Sequence, residues 1–68
     1  MNYAQLLAVF RKAIEDERGA QEHYRNAITV SEGRPNLQRV FSQILSEEEA
    51  HERRLVELYA DLKQEVGE

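Results

Sequence analysis

The chain has no cysteine, one proline and only three glycines in 68 residues. Without cysteine there can be no disulfide, thiolate metal site, iron–sulfur cluster or redox dithiol. Any metal must therefore be held by carboxylate and imidazole. Positive charge is also short, with nine Lys and Arg against thirteen acids and a net charge of −4. Such scattered cations do not make a nucleic-acid surface. The opening "MNYAQLLAVFRK" is amphipathic and has no apolar stretch long enough for a signal-peptide core or a membrane span. The expectation is a single domain that contacts neither nucleic acid nor membrane, in a cytoplasmic setting.

What the chain does contain is helix-forming sequence with a regular apolar repeat. From Asn2 to about Val30 the only glycine is Gly19 and there is no proline. Apolar residues recur at Tyr3, Leu6, Leu7, Phe10, Ala13, Ile14, Ala20, Tyr24, Ala27 and Ile28, the 3-4 spacing of a long amphipathic helix. "SEGRPN" interrupts the pattern, with Gly33 suited to a helix C-terminus and Pro35 to the first turn of the next helix. The repeat resumes through Leu37, Phe41, Ile44, Leu55, Leu58 and Leu62. The reading is all-α: helix 1 over about 2–30, a turn over about 31–35 and helix 2 over about 36–65. A short connection makes the pair an antiparallel hairpin.

A few charged residues fall on the apolar stripes. Heptad steps from Tyr3 pass through Phe10, Glu17 and Tyr24, and the second helix steps through Ile44, Glu48, His51 and Leu55. Glu17 and Glu48 lie near the centres of their stripes, whereas Glu47 and Glu49 lie about 100° to either side of Glu48. In an antiparallel hairpin Glu17 and Glu48 are level, each about 23 Å from the turn. His51 stands one turn past Glu48, at the spacing that lets two side chains converge. Any one of these residues could be a register-setting polar residue or a hydrogen-bonded core histidine. All three at one height point to a metal site, because buried unpaired carboxylates cost several kcal/mol each.

A hairpin this small has too little core to stand alone, so pairing with a second copy into a four-helix bundle is expected. A two-fold axis at mid-height would bring together four Glu and two His. That is the carboxylate template for two metal ions, with a Glu from each of two helices and a Glu-x-x-His from each of the other two. Four carboxylates balance two divalent cations, and the mixed ligands suit Fe or Mn, with Zn a possible substitute. A binding module with a buried Glu/His network is the rival reading. Haem held by paired His51 leaves the carboxylates unexplained. His23, about 120° from the stripe centre, reads as a surface histidine. Glu52, about 40° from Glu48, reads as a flank charge, with a rim or spare-ligand role as alternatives. Leu45, Val56 and Tyr59 widen the apolar face of the second helix to about 160°, which suits either generous burial inside the dimer or a second interface building larger rings.

Two stretches resemble the ferritin-like superfamily, in particular its half-length members. "AIEDERGAQEHYRNAI" is similar to the first helix of rubrerythrin and encapsulated-ferritin motifs, where a ligand Glu precedes a Tyr by seven residues. "LQRVFSQILSEEEAHERRL" is similar to the partner helix carrying E-x-x-H, and the likeness spans about residues 5–62. The resemblance implies that Glu17, Glu48 and His51 are catalytic iron ligands, with Glu48 bridging. It also implies that Tyr24 donates to a ligand carboxylate from just outside the coordination sphere. The function it implies is a ferroxidase for iron detoxification or storage, with two Fe per homodimer. An encapsulin-type shell is the further partner it suggests, placing the chain inside a protein nanocompartment. Rubrerythrin-like peroxidases carry an extra ligand Glu and a cysteine-rich domain. Here Ala20 stands three residues after Glu17 and cysteine is absent, so a rubrerythrin-like peroxidase is the alternative rather than the leading reading. The tail "DLKQEVGE" does not resemble the targeting peptide of encapsulated ferritins.

Overall fold

Asn2 sets the start of the first helix. Its Oδ1 accepts the Gln5 N–H at 3.1 Å and its carbonyl accepts the Leu6 N–H at 3.1 Å, satisfying first-turn donors that have no partner within the helix. In the computed structural model, which describes residues 2–67, helix α1 then runs Tyr3–Val30. It ends with the Ser31 N–H on the Ala27 carbonyl at 3.0 Å. Gly33 takes φ +88°, a left-handed conformation that side chains disfavour, and this reverses the chain.

Helix α2 runs Pro35–Val66. Pro35 stands in its first turn, where a missing N–H costs nothing. Gln38 reaches back across the turn and donates to the Ile28 carbonyl at 3.0 Å, tying the start of α2 to the end of α1. Gly67, at φ +80°, closes α2 in the left-handed conformation. The two helices lie side by side in a rod of 50 × 15 × 14 Å. Among the described residues, no helix is long and apolar enough to cross a membrane.

The contact between the helices is narrower than the apolar repeat. Among the described residues the buried apolar side chains are Leu7, Ile14 and Leu62. Leu7, Ile14 and Gln21 form one heptad line and face α2, whereas Phe10, Glu17 and Tyr24 are half-buried and Tyr3 is exposed. The α2-facing line of α1 is therefore rotated about 60° from the stripe through Glu17. Stacking of Phe10 on Tyr59, with ring centres 6.2 Å apart, extends the contact toward the open end of the hairpin.

One side of the hairpin stays apolar and open. Leu37, Val40 and Leu58 are all exposed there, Val40 at 51%. By helical phase Leu37, Val40 and Leu58 all lie on the His51 side of α2. They form an exposed apolar strip beside His51.

Candidate metal centre

The middle of each helix contributes to one cluster on this open side. Glu17 comes from α1, and Glu48 and His51, one turn apart, come from α2. His51 Nδ1 lies 3.7 Å from Glu17 Oε2 and 3.8 Å from Glu48 Oε1. One ligand atom from each of the three residues falls within 4.8 Å of the others. The two carboxylate side chains are about a fifth exposed, at 22% and 21%, while His51 is 59% exposed toward the open face. The sequence-derived trio thus meets in space, with its imidazole turned outward.

The electrostatics are those of a site short of positive charge. Glu17 Oε2 is fully buried and has no hydrogen-bond partner, a condition that costs folding energy. The Glu48 carboxylate beside it favours a shared proton and pushes the Glu17 pKa above its ordinary value, and loss of surrounding water adds to the shift. His51 pulls weakly the other way. A bound cation would compensate the crowded carboxylates. Donor atoms 3.7–3.8 Å apart can both sit about 2.1 Å from one ion, and two carboxylates with an imidazole suit a first-row divalent metal. The residues present fit the group, and Glu17, Glu48 and His51 are the ones that would hold it.

The comparisons with known proteins agree with this geometry. The family model described as Rubrerythrin matches residues 4–68. The chain belongs to the rubrerythrin family. Neither the curated proteins nor the solved structures yielded a match. In this rubrerythrin-family domain the Glu/Glu/His cluster is consistent with a metal site.

Directly behind the cluster lies a polar clamp that the heptad reading from Tyr3 did not find. Gln21, only 5% exposed, donates from Nε2 to Glu52 Oε1 at 2.7 Å. Arg18 Nε donates to the other oxygen of Glu52 at 2.9 Å. The Gln21 amide and the Arg18 guanidinium hold the Glu52 carboxyl below the usual range. Glu52 is therefore an inter-helix partner rather than a flank charge. Arg25 extends the network, donating to Gln21 Oε1 at 3.4 Å and lying 3.8 Å from Glu49. Heptads stepped from Leu7 give Leu, Ile, Gln, Ile at 7, 14, 21 and 28, and that break marks Gln21.

The remaining aromatic and histidine positions are simpler. Tyr24 is half-buried, with its ring tilted against Phe41 at 6.2 Å and against His23 edge-on at 5.1 Å. Among the described residues its hydroxyl makes no hydrogen bond to Glu17 or Glu48. His23 is exposed, on the flank away from the cluster.

Proposed function

We propose that this rubrerythrin-family domain is a ferroxidase that pairs over its open face into a four-helix bundle and takes Fe²⁺ as substrate. The observation carrying this reading is the buried, unpartnered Glu17 Oε2, facing a second carboxylate and an imidazole beside an exposed apolar surface. Pairing of two hairpins would cover Val40 and Leu58 and join two trios, giving four carboxylates for the four positive charges of two Fe²⁺. Glu17 and Glu48 supply hard anionic oxygens that favour Fe³⁺ over Fe²⁺ and so lower the cost of losing an electron. His51 adds a neutral nitrogen donor from the exposed side, the direction from which the partner's surface would approach. Each Fe²⁺ gives up one electron, and one dioxygen accepts two electrons and two protons to leave as hydrogen peroxide. Apolar neighbours on the open face exclude water from the paired site and strengthen its electrostatics.

Rapid mixing of the anaerobically Fe²⁺-loaded protein with oxygenated buffer tests this. Ferric absorbance should rise fast in the wild type and at the uncatalysed rate in Glu48→Ala and His51→Ala. Equal rates in all three would remove the ferroxidase reading.

A further inference from the structure

Glu52 has the chemistry of a metal ligand and nearly the position of one. It lies one turn beyond Glu48, next in sequence to His51 and about 40° round the helix. Yet it is outside the cluster that Glu17, Glu48 and His51 form. Both its oxygens are taken, one by Gln21 at 2.7 Å and the other by Arg18 at 2.9 Å. Their holders are themselves tied to the site, since Arg18 follows Glu17 in the chain and Gln21 lies one turn beyond it on α1.

Packing alone does not explain Gln21. It occupies a heptad position that is apolar at every other step, and its amide is the most buried polar side chain among the described residues. A leucine there would fill a similar volume without a polar group to desolvate. What the amide adds is a hydrogen bond that holds one particular carboxylate on the side of α2 away from His51.

We infer that Gln21 is a specificity-determining residue: with Arg18 it holds Glu52 out of the donor set and limits each hairpin to two carboxylates and one imidazole. The inference rests on the metal-site reading above. Release of Glu52 would add a hard anionic oxygen, which favours Mn²⁺ over the more imidazole-loving Zn²⁺.

Competition titrations of the full chain with Mn²⁺ and Zn²⁺, alongside the Co²⁺ absorption spectrum, test this without any turnover. In Gln21→Leu the Mn²⁺ to Zn²⁺ affinity ratio should rise about tenfold, the usual scale for neighbours that orient ligands. Its Co²⁺ band should weaken as the donor number grows. Adding Glu52→Gln to Gln21→Leu should restore the wild-type ratio and spectrum. Arg18 is well exposed, at 64% of its side chain, so Arg18→Ala keeps its fold and should shift the ratio in the same direction, though less. An unchanged ratio in both Gln21→Leu and Arg18→Ala would overturn the inference. So would a shift that persists in the double variant. Failure of the wild type to bind any of the three metals would instead overturn the metal-site reading itself.

Discussion

Glu17 Oε2 and His51 Nδ1 lie 3.7 Å apart, one from the middle of each helix, and the oxygen has no hydrogen-bond donor of its own. The protein thus holds an acid in a place where, without a cation, the acid is a liability. Metal-free Glu17→Gln should therefore be more stable than metal-free wild type by about 1 kcal/mol, because the amide can donate to Glu48. The same variant should lose most of its stabilisation by Zn²⁺ or Fe²⁺. Urea denaturation with and without metal reads both effects. A metal-free variant less stable than wild type would mean that Glu17 contributes structurally.

The pH dependence follows from the direction of the Glu17 shift. Its folded pKa is above its ordinary value near 4.5, so the folded chain holds this proton more tightly than the unfolded chain. Its contribution is fully present below the unfolded value and is lost as pH rises through the folded one. The stability advantage of metal-free Glu17→Gln over wild type should therefore widen as pH is raised from about 4.5 toward neutrality. Metal reverses the slope, since the ligands must lose protons to bind, and the metal-induced gain should shrink on acidification. A difference curve that is flat with pH would contradict the assignment of the shift to Glu17.

The clamp behind the site makes a separate stability prediction. Gln21→Ala removes a buried amide, opens a cavity and leaves Glu52 Oε1 without its partner, so it should cost about 2 kcal/mol. Lys12→Ala breaks an exposed pair with Asp16 and should leave the unfolding midpoint nearly unchanged. Thermal melts of the two variants under one set of conditions decide the matter. Equal losses would show that the Gln21–Glu52 contact carries no special weight.

Much of this architecture can be read from the sequence, and where it cannot the reason is geometric. The two helices follow from the 3-4 apolar repeat, and Gly33 and Pro35 mark the turn between them. Glu17, Glu48 and His51 stand out because an acid or a histidine replaces an apolar residue at matching heights. Gln21 and Arg18 do not, since neither breaks the stripe drawn through Tyr3 and Phe10. The helix contact is rotated toward Leu7 and Ile14, and only from that line does Gln21 become an anomaly. Glu52 could not be placed from one helix alone, because its partners sit on the other.

Association should depend on the open face. Val40 and Leu58 are exposed there, and the buried core of one hairpin is small for its length. Val40→Glu with Leu58→Lys should therefore shift the sedimenting species toward monomer and make the melting temperature fall. Val30→Lys, at a residue 73% exposed and away from that face, should change neither. Wild-type melting that does not depend on protein concentration would count against an associated folded state.

On the proposed reading, Glu17, Glu48 and His51 from two copies hold iron together. The most direct measurement is anaerobic equilibrium titration with Fe²⁺, followed by sedimentation of the loaded protein and counting of bound metal. The expected result is a dimer or a multiple of it carrying two iron ions per pair of chains, and almost none in Glu48→Ala. Iron bound at the same stoichiometry by that variant, or held tightly by a monomer, would contradict it.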